Sequence, residues 1–234
     1  MSNFATEPAE RWRVRVGEEE ETSALLQRAE QPLAGSVLVL GHGASTNMEH
    51  RTLENLAGAF LSRGLSVVRF NFLYMEKQKG PPDRMPRLME CFTAVVERVR
   101  QELSPQHLFI GGHSMGGRTA SMLGAEGFVC DGLLLLAYPL HPAGQPEKLR
   151  DAHLAQIQRP VLCLNGTRDE LCQQELMQKV LEKLPPSFTM HWLQAADHGF
   201  HVQKRSGRTD EEVLHEIGEV GCAWVAKVAA ATET

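Results

Sequence analysis

Residues 107–120 read HLFIGGHSMGGRTA, an apolar run followed by four glycines around a single serine. Glycine weakens strand and helix interiors alike. A cluster of it at such a junction therefore marks a turn with unusual dihedrals or a backbone that something must approach closely. The residues before it read as a strand and those after it as a helix, and the rest of the chain repeats that order.

RWRVRV (11–16) alternates, meets GEEEE and continues as ETSALLQRA, which predicts an N-terminal antiparallel hairpin across an exposed acidic turn. SVLVLGHGAS (36–45) is a nearly continuous β-branched run ending in glycines, as expected of a strand buried on both faces. Leu53, Leu56, Ala57, Phe60 and Leu61 fall at helical spacing and are closed by Gly64. LSVVRFNFL (65–73) supplies another strand. After a loop rich in lysine, glycine and proline (76–86), Leu88, Phe92, Val95, Val96 and Val99 line one face of a helix. HLFIGGHS, GLLLLAY (132–138), PVLCLNGT (160–167) and SFTMHWLQ (187–194) read as further strands, with helical patterns at 117–125, 173–184 and 210–229. This alternation predicts an α/β fold with a mostly parallel, doubly wound sheet and helices on both faces.

Nothing in 234 residues resembles a repeat or a linker, so the expectation is a single domain over 1–234. With 42% hydrophobic and 23% charged residues the chain should fold. Its net charge of −5 and scattered lysines and arginines carry no nucleic-acid footprint. The start, MSNFATEPAERWRVRV, lacks an apolar core, and no later stretch reaches membrane-spanning length, so a cytoplasmic or nuclear protein with no membrane span is expected. Five widely spaced cysteines without a CxxC pair argue against a disulfide framework and a zinc site. Cys91 and Cys163 sit in apolar patterns and read as small buried hydrophobes.

In a doubly wound sheet ligands gather outside the carboxyl ends of the strands. Ser114 ends one of them, and Gly112-His113-Ser114-Met115-Gly116 has the glycines a sharp strand-to-helix turn needs to present a serine hydroxyl. A serine is a weak nucleophile and needs a base, usually a histidine oriented by a carboxylate. Asp169, in LNGTRDE, is the best placed acid; the competing reading is a turn or helix-cap aspartate, and Asp131 and Asp151 are less well placed. His198, in AADHGF, follows the last strand, with His201 as the rival base and Asp197 as a turn former. Backbone N–H groups of Met115 and of Ala44, in GHGAS, are the candidate oxyanion-hole donors. His42 is expected to hydrogen-bond its loop, and His113 to pack on the opposite side of its strand end. Lys77, Lys79, Arg84 and Arg87 read as a solvated loop rather than as an anion-drawing patch.

GHGAS, GHSMGG, NGTRDE and ADHGF, in that order, resemble the α/β-hydrolase superfamily across most of the chain. FNFLYMEKQKGPPD and YPLHPAGQPEKLRDAHL look more closely like the small hydrolase-like family of testis-expressed proteins and a subunit of the NSL chromatin complex, itself similar to dienelactone hydrolases. Dienelactone hydrolases use a cysteine where this chain has Ser114, so their substrate does not carry over. The resemblance implies Ser114 as nucleophile, Asp169 as acid and His198 as base, with no metal or organic cofactor. The expected activity is that of a serine esterase or thioesterase on a small soluble substrate. A hydrolase fold kept as an interaction module is the alternative, although nothing in the sequence points to a protein partner. Between GLLLLAYPL and Pro160 only HPAGQPEKLRDAHLAQIQR intervenes, enough for a loop and a short helix, so the lid should be minimal.

Overall fold

The apolar runs of the sequence become the centre of an eight-stranded sheet in the computed structural model, which describes residues 9–77 and 80–232. The strands are β1 (Glu10–Val16), β2 (Glu20–Gln27), β3 (Ser36–Gly41), β4 (Ser66–Phe70), β5 (His107–His113), β6 (Gly132–Leu136), β7 (Val161–Gly166) and β8 (Phe188–Leu193), in spatial order β1-β2-β4-β3-β5-β6-β7-β8. From β4 to β8 across the sheet all pairings are parallel. The N-terminal hairpin joins antiparallel at one edge, with β2 against β4.

Helices α1 (Arg51–Leu61), α2 (Leu73–Glu76), α3 (Met85–Leu103), α4 (Met115–Ala125), α5 (Gln174–Leu181) and α6 (Asp210–Thr232) make the crossovers and the C-terminal layer. Because successive strand residues face opposite ways, Val39, Ile110 and Leu135 join one core with Phe92 and Val95 of α3. Leu38, Leu40, Leu134 and Leu136 join the other, with Phe60 of α1 and Ile217 and Val225 of α6. Each such burial stabilises by about 1.5–3 kcal/mol, and both faces must be covered. By contrast β1 alternates: Trp12, Val14 and Val16 face inward while its arginines stay in water, as befits an edge strand. Helix α6 starts at a capping box, in which Thr209 Oγ1 accepts from Glu212 N–H at 3.2 Å and Glu212 accepts from Thr209 N–H at 2.7 Å.

Two local expectations change. Strand β4 stops at Phe70, and Leu73, the last residue of the expected strand, opens the single turn α2. The helix expected between β6 and β7 is one 3₁₀ turn, Leu154–Gln156, so the connection after Leu136 is almost all loop and the lid is minimal. All five cysteines are free and buried. Burial pushes the thiols of Cys91, Cys130 and Cys222 up to about 12, which leaves them protonated and inert.

Candidate active site

β5 ends at His113 and α4 begins at Met115, so Ser114 alone makes the turn. Its φ of 53° and ψ of −113° lie where L-residues rarely go. Packing holds it there. A Cβ on Gly112 would lie 2.5 Å from the Gly116 carbonyl carbon, and one on Gly116 only 2.2 Å from Gly41 O. Glycine is required here by the close approach of β3, β5 and α4. Ser114 N–H donates to Leu136 O at 2.8 Å, tying the turn to β6.

The loops after β7 and β8 bring two further side chains to this point. His198 Nε2 lies 2.8 Å from Ser114 Oγ, and His198 Nδ1 lies 2.9 Å from both carboxylate oxygens of Asp169. A carboxylate only accepts, so Nδ1 carries the proton and Nε2 is left to accept from the serine hydroxyl. The Asp169 side chain is fully buried, while that of His198 is 23% exposed. Asp169 Oδ1 also accepts from Leu171 N–H at 2.9 Å, so the residue shapes its turn as well as facing the histidine. Its Oδ2 accepts from Asn165 Nδ2 at 3.0 Å. Asn165 is pinned in turn by the backbone of Tyr138, accepting from its N–H at 2.9 Å and donating to its carbonyl at 3.1 Å. The sequence reading missed Asn165; its one signal was a polar side chain in the otherwise apolar run of β7.

His113 does not point away from the site. Its Nε2 donates to His198 O at 2.9 Å and its ring packs against those of His198 and Phe200. Burial is the main cause, and His198 the next, of a pKa lowered to about 4, so the ring stays neutral. His113 is packed as expected, but on the side of the strand end that faces the loop after β8, where the His198 carbonyl accepts its hydrogen bond. His42 behaves as expected of a loop-fastening residue: Nδ1 donates to Gly43 O at 2.7 Å and Nε2 accepts from Phe72 N–H at 3.0 Å. Those two bonds fix one neutral tautomer, and burial lowers its pKa to about 4.

The rival groups lie elsewhere. His201 turns outward to Asp210 at 2.7 Å, and Asp197 Oδ1 accepts from Gly199 N–H and His201 N–H, both at 2.9 Å. Lys77 and Arg87 pair with Glu20, Arg84 is exposed, and Lys79 lies outside the described residues. Ala44, Ser114 and Met115 share a cleft of about 370 Å³ whose other walls include Met85, Leu88 and Pro142. Among the described residues no cluster of His, Cys, Asp and Glu is arranged to hold a metal ion.

A model of the alpha/beta hydrolase domain matches residues 34–226, which span β3 to most of α6. The chain belongs to this family. Among solved structures, this alpha/beta hydrolase resembles a serine hydrolase homologue from Coxiella burnetii, with a TM-score of 0.73 at 20% identity over 94% of this chain and 97% of that one. It resembles an α/β serine hydrolase without lid from Xanthomonas campestris at 0.72 and 20% identity, over 92% and 94%. A dienelactone hydrolase from Anabaena variabilis superposes at 0.71 and 18% identity, over 93% and 96%. At these identities the shared property is the fold.

Proposed function

We propose that this alpha/beta hydrolase is a serine hydrolase that cleaves an ester or thioester of a small substrate through an acyl-enzyme. The observation that carries the reading is the unbroken chain from Ser114 Oγ through His198 to buried Asp169. In this mechanism His198 Nε2 takes the hydroxyl proton as Ser114 Oγ attacks the acyl carbon, then gives it to the departing oxygen or sulfur. The same nitrogen next takes a proton from water, whose oxygen attacks the acyl carbon, and returns it to Ser114 Oγ as the carboxylic acid departs. Asp169 keeps the proton on Nδ1 and stabilises the imidazolium that forms in each half.

Two backbone donors are assigned to the oxyanion. Met115 N–H opens α4, where the first amides have no partner within the helix. For Ala44 the support is the peptide before it. Gly43 O accepts from His42 Nδ1 at 2.7 Å and from Thr46 Oγ1 at 3.1 Å. In a trans peptide the next N–H points opposite to that carbonyl, and Ala44 lines the cleft. Tyr74 Oη donates to Ala44 O at 2.9 Å and fastens the far side of the same residue.

The reading extends to one domain over residues 1–234 and to a reducing compartment, cytoplasm or nucleus, in keeping with five free cysteines. The quoted motifs support a finer placement beside the testis-expressed and NSL-subunit group. With only a loop between β6 and β7, compact acyl groups suit the cleft better than long chains. A fluorophosphonate probe tests the core of the proposal. It should label folded protein at Ser114 and fail on Ser114→Ala; a folded wild type that takes no label would point instead to an interaction module.

A further inference from the structure

Two guanidinium groups share the cleft with Ser114. Arg118 lies on α4 four residues after the serine, and Arg150 lies on the loop between β6 and β7. Elsewhere several arginines, Arg13, Arg69, Arg87 and Arg208 among them, pair with a glutamate. Among the described residues neither Arg118 nor Arg150 makes a side-chain hydrogen bond or an ion pair, and Arg118 Nε is buried with no acceptor.

The positive charge is felt by its neighbours. After burial, Arg118 is the largest influence lowering the pKa of Arg150, and no carboxylate acts to raise it. Burial and then Arg118 also lower His153, to about 4, with Asp151 opposing. Among the described residues Asp83 is the one carboxylate lining the cleft, and it accepts from Tyr74 N–H at 3.1 Å. Two half-buried like charges facing one space are unfavourable unless something anionic enters it. A chain with net charge −5 therefore keeps a locally positive cleft at its reactive serine.

We propose that Arg118 and Arg150 hold an oxyanion on the substrate, a carboxylate or a phosphate-type group, while its ester carbon sits over Ser114. This rests on the hydrolase reading and names its substrate class. Four residues of helix separate Ser114 from Arg118 by about 6 Å along the axis, which places the anion a few bonds from the scissile carbonyl. The planar guanidinium forks suit either oxyanion.

The test compares three 4-nitrophenyl esters of one length: the mono-ester of glutarate, its methyl-capped neutral form, and the ester of 4-phosphonobutyrate. An anionic ester should exceed the neutral one by about ten-fold or more in kcat/KM, mainly through KM, and the margin should shrink in high salt. Which anion leads identifies the oxyanion. In Arg118→Gln and Arg150→Gln the ratio should fall toward one; Arg150 sits on a loop, so its variant keeps the test decisive if Arg118→Gln fails to fold. Turnover with no anionic preference overturns the proposal and leaves the hydrolase reading standing. If none of the esters turns over, calorimetry of glutarate and of 4-phosphonobutyrate with Ser114→Ala decides the matter. Millimolar or tighter binding of either, lost in the Arg150→Gln background, upholds the subsite, and no binding of either overturns it.

Discussion

On the Ser114 side of the cleft, from Gly41 to Gly117, backbone lies against backbone, and a single added methyl group would sit 2.2 Å from a carbonyl oxygen. Beside it Asp169 and His198 stand on loops, and side-chain hydrogen bonds of 2.9–3.0 Å hold them. The two constructions suit two tasks. A strained dihedral at Ser114 persists only where its surroundings leave no alternative, and hard contacts supply that. A base must instead release one proton and accept another, so its ring needs a fixed axis and a partly open face. The first side should therefore fail when atoms are added and the second when polar atoms are removed.

The largest effect expected is chemical. Ser114→Ala and His198→Ala should each lower kcat for a 4-nitrophenyl ester on the order of 10⁴-fold or more, because members of such a unit do not act independently. Circular dichroism should show both folded. If His201→Ala were crippling and His198→Ala mild, the base has been assigned wrongly.

Next comes the steric side. Gly116→Ala forces backbone apart at β3, and we expect a loss of about 3 kcal/mol or more in urea unfolding. A stable, active Gly116→Ala would break the contrast. The polar side should give way more gently. Asn165→Ala leaves Tyr138 N–H without its acceptor and removes one of two donors from Tyr138 O and from Asp169 Oδ2, at about 2 kcal/mol of stability. Its kcat should fall about ten-fold with KM little changed, equivalent to roughly 1.4 kcal/mol of transition-state stabilisation. A change in KM alone would show that Asn165 shapes the cleft instead of steadying Asp169.

This contrast also explains what could be read from the sequence. Apolar runs such as SVLVLG and GLLLL announce strands buried on both faces because burial there leaves no choice of residue, and the glycines of GHSMGG announce close approach for the same reason. Ser114, Asp169 and His198 were placed by following strand ends, where backbone topology fixes position. Asn165 and His113 escaped because their roles depend on which partner a side chain turns toward, set by contacts 27 and 85 residues away in the chain. Arg118 and Arg150 escaped for a related reason. Cations clustered in sequence, such as those at 77–87, are conspicuous, whereas the cleft draws one arginine each from a helix and a loop far apart in sequence.

His113 joins the two sides. It is the last residue of β5, directly before Ser114, and its Nε2–H holds the backbone carbonyl of His198 at 2.9 Å. His113→Phe keeps an aromatic ring against Phe200 but removes that donor, so the loop bearing the base loses its tie to the elbow. We expect a loss of about 1 kcal/mol at neutral pH and a fall of a few-fold in kcat, the smallest of these effects. The pH dependence separates this role from simple packing. In the folded chain His113 has a pKa lowered to about 4, whereas in the unfolded chain it titrates near its ordinary value, about 6.5. Between those values the unfolded chain binds more protons, so stability must fall as pH drops from about 6.5 toward 4. His42, equally buried and also lowered to about 4, contributes in the same direction. Removing the imidazole of His113 takes away its share, and the acid-side decline of Tm should become shallower in His113→Phe while persisting through His42. Equal slopes in the two proteins would mean that His113 is already charged in the fold. It could then no longer serve as the neutral brace between the elbow and the base.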